Sequence, residues 1–265
     1  MPTGTRALNP KLEFAWQESL LQDLLHAQHV LVLTGAGMSA ESGIPTFRDA
    51  QTGLWSRYKP EELATPEAFA KHPERVWKWY EERRAQVRRA KPHAGHFALV
   101  QLENLLPGFS LVTQNVDGLH QAAGSQAVCE LHGNILRSKC QVSHRPISAE
   151  WLADAIECPP RSPYVKNAYA RPDVVWFGET LPQDAIDQAM AAATRCDFCF
   201  SVGTTSAVQP AASLPLIALD QGARLVEINP LETPLSAQAD QCFRGGAAQV
   251  LTSLVAQARS RMRKT

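Results

Sequence analysis

Short, mainly apolar runs punctuate this chain at Val30–Leu33, Phe109–Thr113, Phe198–Val202 and Arg224–Ile228. Each is rich in Val, Leu, Ile or Phe, and each ends at a turn or polar cluster: Thr34-Gly35, Gln114-Asn115, Gly203-Thr204 and Asn229-Pro230. Apolar enrichment over so short a length predicts strands buried on both faces of a parallel sheet. The stretches between them carry helical spacing instead. Trp16, Leu20, Leu21, Leu24 and Leu25 mark an amphipathic helix over 16–28, and Ala94–Leu105, Gln183–Ala193 and Ala211–Asp220 read as further helices. Such alternation predicts an α/β fold, a Rossmann-like parallel sheet with helices on both faces. Ligands of these sheets bind outside the carboxyl ends of the strands, where the polar clusters fall here.

Two stretches break the alternation. Residues 46–92 are helical and dense in tryptophan and charge, and residues 135–173 are proline-rich and irregular. They read as two insertions that together build a smaller domain over the sheet edge. The large domain then comprises 11–45, 93–134 and 174–258, with flexible tails at 1–10 and 259–265.

Composition narrows the function. The 26 basic and 26 acidic side chains cancel, so the molecule as a whole carries no electrostatic footprint for nucleic acid. No apolar run approaches the roughly 20 residues of a membrane helix. Met1 to Asn9 lack the apolar core of a secretory signal and the arginine-rich amphipathicity of a presequence, so a cytoplasmic protein is expected. Six irregularly spaced cysteines do not make a secreted disulfide framework. Cys196 and Cys199 have C-x-x-C spacing, but on a strand residues three apart face opposite ways, so core packing is expected of them.

Candidate chemistry begins right after the first run. Gly35-Ala36-Gly37-Met38-Ser39-Ala40 is a G-x-G-x-x-A turn. Gly35 permits a tight turn, Gly37 lets backbone approach a pyrophosphate, and Ala40 is a third small residue for close helix–strand packing. The run continues from Glu41 to Asp49, more than a bare phosphate loop requires. Thr113-Gln114-Asn115-Val116-Asp117 follows the second strand, then come Glu130-Leu131-His132-Gly133-Asn134 and Val174-Val175-Trp176-Phe177-Gly178-Glu179. The imidazole of His132 can act as a general base near neutral pH, or can be a structural histidine. The amides of Gln114 and Asn115 both donate and accept, whereas the Asp117 carboxylate only accepts; turn formation is the alternative for all three. Tyr80 and Arg83 share a helix face and together suit a carboxylate. A solvated basic helix is the other reading, since Arg84, Arg88, Arg89 and Lys91 follow.

Taken in order, and with Val202-Gly203-Thr204-Thr205-Ser206 and Glu227-Ile228-Asn229, these motifs closely resemble the sirtuin family of NAD-dependent protein-lysine deacylases over about residues 20–255. The resemblance implies that NAD+ is consumed as a co-substrate, yielding nicotinamide and 2′-O-acyl-ADP-ribose. It implies that His132 takes a proton from a ribose hydroxyl, that Asn115 meets the ribose and a water, and that Asp117 meets the nicotinamide amide. Gly35, Ala36, Gly37, Ala40, Glu41, Pro45 and Gln114 fall in the implied cofactor cradle, with Phe47 shielding the sugar and Arg48 neutralising the diphosphate. Gly203, Thr204 and Thr205 would meet the dinucleotide at a second turn, and Asn229, Pro230, Leu231 and Ala247 would line its adenosine end. An acyl-lysine protein or peptide, the implied partner, would add as a strand along Val174, Val175, Trp176, Phe177, Gly178 and Glu179.

Ala64, Tyr80 and Arg83 resemble the class III subgroup, which removes succinyl and malonyl groups, with acetyl removed more weakly. Sirtuins typically hold a structural zinc through two C-x-x-C pairs. Here Cys140 is matched with Ser143 and Cys158 with Arg161, so no zinc is expected, even with His144 nearby. Gln209 also stands where many relatives carry an aromatic residue. A monomer is expected. A deacetylase without acidic-acyl preference and a catalytically weak NAD or acyl-lysine binding module stay open. An NAD(H) oxidoreductase fits less well, because no strand pattern precedes Ala50–Pro60, where its acidic ribose ligand belongs.

Overall fold

The computed structural model describes residues 14–45 and 60–263. Its strands are β1 (Val30–Thr34), β2 (Phe109–Thr113), β3 (Val128–Glu130), β4 (Gly133–Cys140), β5 (Pro146–Ile147), β6 (Ala170–Val174), β7 (Phe198–Val202), β8 (Arg224–Ile228) and β9 (Gln241–Phe243). Its α-helices are α1 (Glu18–His26), α2 (Gly37–Ala40), α3 (Pro60–Leu63), α4 (Pro66–Lys71), α5 (Pro73–Arg89), α6 (Ala94–Glu103), α7 (Leu119–Ala123), α8 (Ala149–Ala153), α9 (Gln183–Arg195), α10 (Leu214–Asp220) and α11 (Ala247–Met262).

Six strands pair in the order β3-β2-β1-β7-β8-β9, all parallel. The four apolar runs are its central strands. Alternation along β1 sorts its side chains between two cores: Val30 and Val32 join one cluster, Leu31 and Leu33 the other. The first core is filled by α1, α6 and α11, the second by α9 and α10. Both faces are therefore covered, as a parallel sheet demands. The chain winds outward from β1 through β2 to β3, and from β7 through β8 to β9. Strand order thus reverses between β1 and β7, which puts the ligand-binding crevice at their carboxyl ends.

Residues 135–173 are more regular than their prolines predict. β5, β4 and β6 form an antiparallel sheet in that order, with β4 central. Pro146 and Pro172 lie on its two edge strands, where a missing N–H breaks no ladder. The register of β4 on β6 shifts between Asn134 and Ser138. There Arg84 of α5 supplies the missing donors, to the carbonyls of Ile135 (2.6 Å) and Arg137 (3.0 Å) and to Ser138 Oγ (2.8 Å). Arg84 is 3% exposed, so this face of α5 is not the solvated basic surface that the run of arginines allowed. At the other end of the chain α11 continues to Met262, with Arg261 paired to Glu18. Cys196 and Cys199 are both in the core, but Cys196 precedes β7 and shares one cluster with Cys199 rather than facing away from it.

Candidate active site

Two turns meet at the carboxyl ends of β1 and β7. The Gly35 amide donates to Val202 O (3.0 Å) and the Gly37 amide to Gly203 O (2.8 Å), so backbone lies directly on backbone. A Cβ at Gly37 would stand 2.7 Å from Gly203 Cα, and one at Gly203, whose φ is +61°, would stand 2.4 Å from the Met38 amide nitrogen. Only glycine fits such an approach. Both amides are engaged inside the protein. The close packing expected of Ala40 is corrected. α2 is a single turn that buries Met38 and Ser39 and leaves Ala40 exposed.

Polar side chains ring this junction. Asn115 Nδ2 donates to Gly35 O (2.9 Å) and Ser39 Oγ (3.0 Å), and Ser39 Oγ donates to Asp117 Oδ2 (2.7 Å). Asp117 Oδ1 accepts from the Leu119 amide (2.9 Å), so this carboxylate also fixes the start of α7. Burial raises the Asp117 pKa, opposed by the bonds from Ser39 and Leu119. Gln114 Nε2 reaches Thr204 Oγ1 (3.1 Å), and Thr204 O accepts from Asn229 Nδ2 (2.8 Å). The ends of β1, β2, β7 and β8 are thereby joined through one set of amides, hydroxyls and a carboxylate. Such a donor and acceptor set at a switch point fits a dinucleotide.

His132 lies half-buried just after β3. Its Nδ1 is 2.9 Å from Gln114 O, and a carbonyl can only accept. The proton therefore sits on Nδ1, leaving Nε2 with a free lone pair, the form that a general base needs. Burial lowers the His132 pKa, the bond to Gln114 acting the other way.

Several expected cofactor residues have structural duties. Glu41 Oε2 accepts from the Ala248 amide (2.7 Å) and so caps α11, whose first residue is the buried Ala247. Thr205, Pro230 and Leu231 are exposed, and Asn229 Oδ1 accepts from the Leu231 amide (3.1 Å). Beneath them, buried Glu227 holds Arg244 (2.7 Å), which also reaches the carbonyls of Asn229 (3.4 Å) and Leu231 (3.3 Å). Ala36 is exposed and Pro45 half-buried. Phe47 and Arg48 lie outside the described residues.

On the other side of His132 stands the segment Val174–Glu179. Only Val174 belongs to a strand; beyond it the chain folds into a turn. The amides of Val175, Trp176, Phe177 and Glu179 donate to His132 O (2.9 Å), Glu179 Oε2 (2.8 Å), Ala64 O (2.9 Å) and Trp176 O (3.0 Å). Beyond Val174 the segment to Glu179 is thus a turn rather than the extended strand that was expected.

Arg171, which sequence reasoning missed, closes this turn. It clamps Glu179 through both Nη atoms (2.5 and 2.9 Å) and donates to Val174 O (2.9 Å). Ala64, Tyr80, Val174 and Trp176 share one core cluster, and Trp176 Nε1 donates to Tyr80 Oη (2.9 Å). Arg83 is half-buried, 5.2 Å from the centre of the Trp79 ring. Burial pushes its pKa down, countered by neighbouring Tyr80. Tyr80 and Arg83 stand three residues apart on α5.

Around Cys140 the residues do not fit a zinc site. Among the described residues, no group of three or more His, Cys, Asp or Glu side chains could hold a metal ion. Cys140 Sγ accepts from the Ser143 amide (3.4 Å). Burial pushes this thiol up, but bonds from Ser143 and Ser162 outweigh it and bring the pKa to about 7. Trp151 Nε1 donates to Arg161 O (3.0 Å), which ties α8 to the loop carrying Arg161.

The Sir2 family model matches residues 35–210. The chain belongs to the Sir2 family. It is 48% identical over 239 residues to NAD-dependent protein deacylase 1 of Archaeoglobus fulgidus, covering 90% of this chain and 96% of that one. It is 49% identical over 242 residues to the NAD-dependent protein deacylase of Thermus thermophilus, covering 90% and 93%. A solved Sir2 homolog–NAD complex matches with a TM-score of 0.85 at 46% identity, over 94% of this chain and 96% of that one. A Sir2 structure with a deacetylated peptide and 3′-O-acetyl ADP ribose matches at 0.80 and 32% identity, over 91% and 97%. This Sir2 chain is accordingly an NAD-dependent protein deacylase that uses NAD+ as co-substrate. No described helix is long and apolar enough to cross a membrane.

Proposed function

We propose that this Sir2 enzyme removes acidic acyl groups, succinyl and malonyl, from protein lysine in preference to acetyl. One observation carries the reading: a phenol and a guanidinium sit together on α5, in desolvated surroundings, beside the segment proposed to hold the peptide. Burial pushes the Tyr80 pKa up to about 12, so the phenol keeps its proton and can donate. Arg83 adds a planar fork suited to a carboxylate. Acetyl-lysine has no carboxylate and gains nothing from the pair.

Bound NAD+ supplies an electrophilic ribose carbon and a nicotinamide leaving group, with nicotinamide and 2′-O-acyl-ADP-ribose as products. The protein orients and exchanges protons around it. Nε2 of His132 accepts a proton from a ribose hydroxyl. Asn115, whose Nδ2 donates to Gly35 and Ser39, would present its Oδ1 to the ribose and a water, and Asp117 would face the nicotinamide amide. Gln114, Gly203, Thr204 and Asn229 line the crevice toward the adenosine end. Ala64 leaves room for the longer acyl chain. Six free cysteines accord with a reducing, cytoplasmic setting.

The test is steady-state turnover of succinyl-, malonyl- and acetyl-lysine peptides with NAD+, followed by product mass. Arg83→Met should lower kcat/KM for the two acidic substrates at least about 10-fold more than for acetyl-lysine, the loss of roughly one charge-assisted bond. Equal loss on all three peptides would contradict the pocket.

A further inference from the structure

We propose that Trp176 is a specificity-determining residue that aims the Tyr80 hydroxyl, and that Arg171 and Glu179 hold the indole in place for that purpose. The inference rests on the acidic-acyl reading and adds the device that makes the phenol a directed donor.

Trp176 is 2% exposed and Tyr80 4%. The indole N–H can only donate, and it lies 2.9 Å from Tyr80 Oη. It therefore occupies an acceptor position on that oxygen, and the phenolic proton must point elsewhere. A hydroxyl lacking such a partner rotates freely and divides its time among acceptors. With the indole in place, the proton is committed before substrate arrives, which reduces the ordering cost of binding a carboxylate.

The indole is itself fixed on several sides. The Arg171 guanidinium lies 3.4 Å from the ring centre, close enough for a cation–π contact. Arg171 cannot swing away, because Glu179 grips it through two bonds and Val174 O accepts a third. Glu179 also accepts from the Trp176 amide (2.8 Å), so one carboxylate anchors both the stacked cation and the backbone of the ring it covers. Phe69 fills the remaining side at 5.2 Å between ring centroids. A chain of contacts thus runs from Glu179 through Arg171 and Trp176 to the Tyr80 oxygen, beside Arg83.

The test is Trp176→Phe, which keeps an aromatic ring and removes the N–H. The ratio of succinyl- to acetyl-lysine kcat/KM should fall about 10-fold, mainly through the succinyl KM. Tyr80→Phe should lower the same ratio, and the double variant should do no worse than Tyr80→Phe alone, since both act on one bond. Additive losses, or an unchanged ratio in Trp176→Phe beside a lowered one in Tyr80→Phe, would overturn the proposal while leaving the acidic-acyl reading intact. An unchanged ratio in both Tyr80→Phe and Arg83→Met would overturn the reading and this inference with it. Should Trp176→Phe fail to fold, the indole ¹⁵N–H resonance of Trp176 serves instead. It should shift upfield in Tyr80→Phe, and a resonance that stays put overturns the proposed bond.

Discussion

The position of one proton decides what His132 can do. Its Nδ1–H is committed to Gln114 O, so Nε2 is the only basic atom. Protonation of Nε2 would abolish the acceptor role proposed for it, and burial lowers the His132 pKa below 6.5. Activity should therefore be flat from pH 8 to 7 and fall on the acid side, with the midpoint in kcat/KM below 6.5. A midpoint above 6.5 would show that another group sets the limb. His132→Asn should lower turnover on every acyl peptide by about 10²-fold or more while NAD+ still binds. Gly37 is the second critical residue. Gly37→Ala drives a methyl into the Gly203 backbone, which cannot yield as a side chain can, and a loss of about 1–3 kcal/mol in urea unfolding is expected. At this scale the sequence was informative about identity and less so about role. His132, Asn115, Asp117, Tyr80 and Arg83 stood in recognisable order. Ser39, which bridges Asn115 and Asp117, carried no separate signal because a serine in a glycine-rich turn is commonplace. The bonds that engage Gly37 and Glu41 depend on residues far along the chain, Gly203 and Ala248, and spacing cannot reveal them.

Elements were legible wherever burial was complete. The central strands β1, β2, β7 and β8 announce themselves because apolar residues fall on both of their faces. The edge strands β3 and β9 have three residues each, only partly buried, too few to set up a period. Prolines concealed the antiparallel sheet, since a proline on an edge strand looks like a break when the sheet is unknown. Its irregular centre depends on one side chain from another element. Arg84→Met should leave the Ile135 and Arg137 carbonyls without their donors at the β4 register shift. A loss of about 2–4 kcal/mol is expected in denaturant unfolding. A change under about 0.5 kcal/mol would mean that the shifted register stands without Arg84.

At the scale of the molecule, the crevice is backed by buried neutral histidines. His120 Nε2 lies 3.0 Å from Thr34 Oγ1, which donates in turn to Thr113 Oγ1 (2.8 Å), and the His96 ring stands 5.0 Å from that of His120. Burial pushes His96 down to about 2 and His120 to about 4. In the unfolded chain both titrate near 6.5. Below that pH the unfolded state binds more protons, so stability falls with falling pH, by about 1.4 kcal/mol per unit for each histidine. Asp117, raised by burial, acts in the opposite sense. Urea unfolding should thus show little change from pH 8 to 7 and a loss of about 2–4 kcal/mol from 6.5 to 5. Constant stability over that range would mean that the buried histidines accept protons in the folded state.

In the proposed reading, the switch between the two halves of the sheet positions the dinucleotide chemistry, and α5 with the turn at Val174–Glu179 selects the acyl group. The most direct check is a competition: equal concentrations of succinyl-lysine and acetyl-lysine versions of one peptide, incubated with the enzyme and NAD+, with both deacylated products and nicotinamide quantified by mass. The succinyl peptide should be consumed at least about 10-fold faster, with one nicotinamide released per acyl group removed. Faster loss of the acetyl peptide, or equal rates, would contradict the account.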